Sequence, residues 1–304
     1  KIESAIFSSY SGEPTTEHVS NALTVLREFN GDCIVSIGGG SAIDIGKAVA
    51  LFSCNENLDW ADIVKKPHLN RLPLLAIPTT AGTGSEATKI MVITDTDSNI
   101  KMNPGHPHLI PDIAILDPEL TLSLPKNFTA YTGLDALSHA MEAYVSTNST
   151  IMTEPFALEA IDRISNSLPV IYENGNNIEA RQNMLLGSCY AGIAFSNAST
   201  NLAHAAGRPL GARFHIPHGL SVALLMPFVV EYGLDSASDK YADIALALGA
   251  EPSLSKEELA VKTLDILHNY NDIFNIWEDG KKYIDVDDLR RNITLLGKDA
   301  ISGN

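Results

Sequence analysis

Short apolar runs of strand type alternate with amphipathic helical runs up to about residue 120, and after that point no strand pattern recurs. The strand-type runs are AIFSSY (5–10), DCIVSI (32–37), LPLLAI (72–77) and DIAILD (112–117). Between the first three lie stretches 15–29 and 41–52, whose apolar residues fall at helical spacing. Such alternation predicts a parallel sheet with helices on both faces. The shorter runs KIMVIT (89–94) and NIKMN (99–103) flank turn residues and predict an inserted β-hairpin. Pro118 and Pro125 then punctuate the chain, and helical patterns follow at about 127–147, 150–173, 177–196, 197–206, 218–232, 238–248 and 254–271. We expect an α/β domain over 1–124 and an all-helical domain over 125–304.

Composition removes several function classes. The 304 residues carry a formal net charge of −16, which opposes binding to nucleic-acid phosphates. An apolar fraction of 45% suits a packed core. Cys33, Cys54 and Cys189 are odd in number and widely spaced, so no disulfide framework or thiolate zinc site is expected. A reducing, cytoplasmic compartment fits. The longest apolar stretch, Leu220 to Val230, is too short to span a bilayer and contains Pro227. The chain opens at Lys1 without a Met, and we expect the natural N-terminus to be missing.

Two loops after predicted strands have the character of nucleotide-binding loops. In CIVSIGGGSAIDIGKAVA (33–50) a strand runs through three glycines into a helix that we expect to begin at Ser41. Glycines let the backbone turn sharply near a ligand, and the free amides of a helix start favour phosphate. The loop lacks the six-residue GxGxxG pattern. The second loop, in LLAIPTTAGTGSEAT (74–88), is dense in small hydroxyl and glycine residues that suit a ribose or pyrophosphate. For either loop the structural alternative is a tight turn with no ligand. Lys101 is either a solvated strand charge or a cation directed at phosphate or ribose.

Asp135 and His139 lie four apart in LDALSHAMEAY, on one face of a helix. His204 and His218 flank a segment rich in Gly and Pro, with His215 nearby. One carboxylate and three imidazoles form a plausible ligand set for a divalent transition metal. Each residue also has a structural alternative. Asp135 suits a helix N-cap, His139 a satisfied helical position, His204 the negative end of a helix, and His218 a helix start. His106 and His108, in NPGHPHLIP, are expected on the surface.

The motifs GGGSAIDIGKA, PTTAGTGSE, DPELTLSLP, GLDALSHAMEAY and HAAGRPLGARFHIPHG, in this order, resemble those of iron-containing (group III) alcohol dehydrogenases over roughly residues 5–250. The resemblance implies an N-terminal Rossmann-like dinucleotide-binding domain, apparently truncated at its start, and an all-α metal-binding domain. It implies Asp135, His139, His204 and His218 as the metal ligands, with Fe²⁺ expected and Zn²⁺ also acceptable. Gly39, Gly40, Ser41 and Asp44 match the pyrophosphate loop and its helix. Thr79, Thr80, Thr83 and Ser85 match the second cofactor loop, Lys101 a cofactor-contacting lysine, and Leu120 the segment lining the nucleotide.

The implied activity interconverts a primary alcohol and its aldehyde with NAD or NADP, in a homodimer without nucleic-acid or membrane partners. The expected stretch that discriminates NAD from NADP is absent. The family's HxxxHPLG pattern becomes His204-Ala-Ala-Gly-Arg208-Pro-Leu-Gly. Arginine stays protonated and cannot shuttle a proton, so Arg208 is expected to contact substrate. The rival readings are a metal-dependent lyase on the related dehydroquinate synthase-like scaffold and a non-catalytic assembly protein.

Overall fold

The computed structural model describes residues 2–98 and 100–302. Asn99, the first residue of the second predicted hairpin run, lies outside the described residues, as do Lys1, Gly303 and Asn304. The chain divides into two compact units. The first comprises Lys1–Thr80 and Gly84–Leu120, and the second Ala81–Thr83 and Thr121–Asn304.

The first unit holds helix α1 (Thr16–Phe29), strand β1 (Ile34–Gly38), helix α2 (Gly40–Phe52) and strand β2 (Leu74–Pro78). Strands β3 (Ile93–Thr94), β4 (Lys101–Met102) and β5 (Ile113–Ala114) follow. Helix α1 begins at a capping box, in which the Thr15 hydroxyl accepts from His18 N and His18 Nδ1 accepts from Thr15 N. The sheet order is β1-β2-β5, all parallel, with Ile34 opposite Leu74 and Leu75 opposite Ile113. The hairpin is present as β3 against β4, antiparallel. A core of Val19, Ile45, Val49, Leu51, Ile63, Met91, Ile93 and Leu109 fixes α1 and α2 to these elements.

Two expectations fail here. Residues 5–10 form no strand, although Phe7 and Tyr10 pack on the apolar core. Strand pairing is non-local, and apolar content alone does not supply a neighbour with free ladder groups. The sheet is also not covered on both faces. Ser36, Leu74 and Ala76 are buried, but Val35 (54% exposed), Ile37 (58%) and Ile113 (51%) are not.

The second unit is helical among the described residues: α3 (Lys126–Val145), α4 (Glu154–Glu173), α5 (Ile178–Ala198), α6 (Leu202–Phe214), α7 (His218–Ala247), α8 (Lys256–Ile273), α9 (Ile276–Lys281) and α10 (Val286–Ser302). Helix α3 is its axis, packed on by α4, α5 and α7. Ala130, Gly133, Ala136, Ala140 and Ala143 are small enough to let those neighbours approach, and α3 is buried on every side. Helix α10 is the opposite case. It buries no residue and is tied to α6 by a two-pronged ion pair from Arg213 to Asp288, at 2.8 and 3.0 Å.

Two helix boundaries differ from the sequence reading. The run expected over 197–206 is split, because Ser199 takes a left-handed φ of 74° and the Asn201 side chain accepts from Leu202 N to start α6. Helix α6 then continues through Pro209. The runs expected at 218–232 and 238–248 are joined into α7, with a kink at Ala237 (φ −138°, ψ 32°). At thirty residues α7 is long and apolar enough to cross a bilayer by length and composition, unlike the eleven-residue stretch read from sequence. It packs against α3, α6 and α8.

Candidate metal centre

Three helices bring the predicted ligands together. Asp135 and His139 leave the same face of α3, one turn apart, and both are buried. His204 stands in the first turn of α6, not near a helix C-terminus as the pattern suggested. His218 is the first residue of α7, directly after Pro217. Gly219 permits this arrangement: a Cβ there would lie 2.3 Å from the carbonyl oxygen of Tyr131 and 3.3 Å from the Asp135 Cβ. Only a residue without a side chain lets the start of α7 lie this close to the α3 backbone.

Asp135, His204 and His218 offer donor atoms that all lie within 4.8 Å of one another. Asp135 Oδ1 is 3.4 Å from His204 Nε2 and 3.6 Å from His218 Nε2. His139 stands slightly apart, with Nδ1 4.0 Å from Asp135 Oδ2. Its ring stacks on Phe195 at 4.3 Å and on His204 at 4.2 Å. These donor separations exceed a hydrogen bond of about 2.9 Å. They match the edge of a tetrahedron, about 3.4 Å, around an ion with ligands at about 2.1 Å. Asp135 Oδ1, His139 Nδ1 and His204 Nε2 are buried without a hydrogen-bond partner. Orphaned buried donors at coordination spacing, one carboxylate and imidazole nitrogens, fit a divalent transition metal.

The charges agree. Burial alone would raise the Asp135 pKa, but the neighbouring imidazoles of His139, His218 and His204 hold it well below the usual carboxylate range. Burial, reinforced by the His204 charge, pushes His139 down to about 3. Burial also opposes charge on His204, yet Glu142 and Asp135 outweigh it and push His204 up to about 9. The cluster is built to hold positive charge.

Sequence reasoning missed two residues here. Glu142 lies two turns along α3 from Asp135, is 1% exposed, and accepts from His204 Nδ1 at 2.5 Å. The i, i+4, i+7 spacing of 135, 139 and 142 was its available signal. Phe195 had none, since its ring reaches His139 only through the packing of α5 on α3.

The expected cofactor residues separate into two groups. Gly39 caps the start of α2, so the helix begins at Gly40, with Ser41 in its first turn. The conformational demand falls on Gly38, with φ 154° and a Cβ position 2.7 Å from the Ala42 Cβ. Thr79 N donates to Gly38 O at 2.9 Å, and Thr80 lies against Gly39, so the two loops meet at the C-terminal ends of β1 and β2. These residues are partly exposed.

Asp44 and Ser85 instead face inward. The Ser85 hydroxyl donates to Asp44 Oδ1 at 2.5 Å, and Val92 N donates to Oδ2 at 2.8 Å. Thr83 belongs to the helical unit, and Leu120 closes the first unit in a partly exposed helical turn. Lys101 lies on β4, ion-paired to Glu13 at 2.7 Å. Arg208 is one turn beyond His204 on α6.

Beneath the loops sits Lys47, fully buried, donating to Ser85 Oγ (3.0 Å), Thr88 Oγ1 (2.9 Å) and the Ile90 carbonyl (2.6 Å). Asp44 Oδ1 is 3.7 Å away. Burial pulls Lys47 down to about 8 and pushes its neighbour Glu86 up to about 7. His106, expected on the surface, is buried. Its Nε2 meets the Lys66 carbonyl at 2.9 Å and its Nδ1 accepts from His108 N, so it caps a short helical turn.

Comparison with known proteins agrees with this architecture. The iron-containing alcohol dehydrogenase family model matches residues 1–118, and the model of the C-terminal part of the Fe-containing alcohol dehydrogenase family matches 129–286. The chain is 44% identical over 249 residues to the probable alcohol dehydrogenase EutG of Escherichia coli (strain K12), covering 82% of this chain and 63% of that protein. It thus spans less than two thirds of that relative's length. It is 36% identical to the NAD-dependent methanol dehydrogenase of Bacillus methanolicus, over 98% of this chain and 78% of the relative. The crystal structure of a 1,3-propanediol oxidoreductase superposes with a TM-score of 0.91 at 32% identity, covering 98% of this chain and 78% of that one. A donor cage spaced for a divalent ion, glycine and threonine loops at parallel strand ends, and these matches together make this chain a member of the iron-containing alcohol dehydrogenase family.

Proposed function

We propose that the chain catalyses reversible hydride transfer between a primary alcohol and NAD or NADP, giving the aldehyde, the reduced cofactor and a proton. Asp135, His139, His204 and His218 would hold Fe²⁺, with Zn²⁺ the other ion the set accepts. The observation that carries the reading is the set of three orphaned buried donors at coordination spacing. A bound ion supplies Lewis acidity that stabilises negative charge on the substrate oxygen.

The protein's own groups have separable tasks. Gly39, Gly40 and Ser41 offer the amides of the α2 start to the pyrophosphate. Thr79 and Thr80 add hydroxyls beside them, Thr83 is a further cofactor contact we assign, and Asp44 and Ser85 brace the second loop from inside. Lys101 and Leu120 complete the proposed cofactor set. Phe195, stacked on His139, fixes that imidazole's plane. Arg208 keeps its charge, although burial lowers its pKa. We assign it to an anionic group on the substrate and not to proton transfer. Among the described residues no cysteine is in a disulfide, which fits a reducing compartment, and we place the protein in the cytoplasm as a homodimer, to be checked by light scattering.

The deciding experiment loads the protein with Fe²⁺ or Zn²⁺ and follows NADH and NADPH absorbance with short aldehydes. Chelation and His204→Ala are each expected to cut turnover by about 100-fold or more. Absence of turnover with every aldehyde, despite bound metal, overturns the dehydrogenase reading, and turnover without metal overturns the Lewis-acid role. In the same assay Arg208→Ala is expected to lower the preference for anionic over neutral aldehydes by about tenfold, the size of one charge-assisted contact. An unchanged preference discards the anion assignment.

A further inference from the structure

Glu142 is the buried carboxylate of the centre that the proposed chemistry leaves without a task. Its two oxygens are used differently. Oε1 accepts from the backbone N–H groups of Ala203 (2.6 Å) and His204 (3.4 Å), the free amides at the start of α6. Oε2 accepts from His204 Nδ1 at 2.5 Å. One side chain on α3 therefore fixes both the start of another helix and the ring carried in its first turn. With Nδ1–H committed to a carboxylate, the opposite nitrogen, Nε2, is the one left facing Asp135 Oδ1. That nitrogen is buried and has no hydrogen-bond partner.

We propose that Glu142 is the positioning residue of the metal centre, setting which His204 nitrogen faces the ion and where α6 begins relative to α3. The inference rests on the metal-site reading above. It follows from the chemistry of imidazole: a ring that keeps its proton on Nδ1 presents a lone pair at Nε2, and a carboxylate partner makes that lone pair more basic. Glu142 itself does not reach the Asp135 side of the ring, because Nδ1 and Nε2 lie on opposite edges of it. Its part is thus played through His204. The spacing 135, 139, 142 then has one explanation: a single face of α3 carries two ligands and the support for a third.

The test compares Glu142→Gln and Glu142→Asp with the unmutated protein. Gln keeps the size and can still accept from the α6 amides, so the helix start and the fold are retained. Its amide NH₂ can donate to Nδ1, which moves the ring proton to Nε2 and blocks coordination. Zn²⁺ affinity, measured by chelator competition, is expected to fall by about 10–100-fold in Glu142→Gln, with circular dichroism and metal-free thermal midpoint within a few degrees of the parent. Glu142→Asp keeps the acceptor and is expected to recover part of that loss. In Zn²⁺-loaded, ¹⁵N-histidine-labelled protein, the His204 Nδ1–H resonance is expected far downfield and to move upfield in Glu142→Gln. Zn²⁺ affinity within twofold of the parent, or a His204 proton found on Nε2 in the loaded parent, overturns the proposal while leaving the metal site standing. Failure of the parent to bind Zn²⁺ or Fe²⁺ overturns both.

Discussion

Two buried polar clusters among the described residues, around Lys47 in one unit and around Asp135 in the other, resolve the same physical problem in opposite ways. Around Lys47 the charges are met from within: its ammonium gives three hydrogen bonds, and both Asp44 oxygens accept one. Glu86, the carboxylate with an unpaired oxygen there, is driven by burial toward its neutral form. At the Asp135 cluster the orphaned atoms are not neutralised. Asp135 is held ionised, and His139 Nδ1 and His204 Nε2 lack hydrogen-bond partners. A buried cluster that satisfies itself is a structural brace, and one that keeps an ionised carboxylate among unpartnered polar atoms suits a cation.

Substitutions should separate the two clusters sharply. Lys47→Met removes the cation from beneath Asp44 and Glu86, leaving buried carboxylates without their partner. It is expected to cost about 3–5 kcal/mol, read as a lowered denaturant midpoint. The cage variant His218→Ala, at a ring that is partly exposed, should leave metal-free stability much less affected. Equal losses in both would erase the distinction between brace and cage.

Glu86→Gln tests the neutralisation argument through pH. The folded pKa of Glu86, about 7, lies above its ordinary 4.5. The native state therefore holds more protons between these values, and the group makes folding less favourable as pH rises from 4.5 to 7. The loss is at most about 3 kcal/mol across that window. Glu86→Gln is expected to flatten it, seen as urea midpoints that no longer fall with pH. A slope unchanged by the substitution would show that Glu86 stays ionised and paired.

The smallest expected effect sharpens the geometry of the cage alone. Gly219→Ala places a methyl group against the Tyr131 carbonyl. It is expected to cost about 1–3 kcal/mol and to weaken Zn²⁺ binding by shifting His218 from Asp135. A stable variant with unchanged Zn²⁺ affinity would mean that α7 can move without disturbing the cage.

Much of this was legible because it is local. Helical periodicity located α1 to α5 and α8 and anticipated the break in α7 before Asp239, and the i, i+4 spacing in α3 put Asp135 and His139 on one helix face. What escaped depends on neighbours distant in sequence. The 5–10 run looks like a strand but finds no ladder to join. The restart at Asn201 is set by a left-handed Ser199, which no apolar pattern marks, and it moves His204 from the end of a helix to the beginning of one. Glu142, Lys47 and Phe195 each read as ordinary helical residues until the partner helix or loop is in place.

The burial of α3 on every side has a consequence for how a protein like this changes over generations. Asp135, His139 and Glu142 share a helix buried on every side from Thr129 to Tyr144, so almost any replacement there disturbs core packing and the polar cluster together. Change around the cluster is then easier on α6 and α7, which bring His204 and His218 and whose faces are not wholly enclosed. Arg208, half-buried on the turn of α6 after His204, is a position that such a division of labour leaves open to change. Directed diversification should begin at that turn and leave Lys126–Val145 untouched.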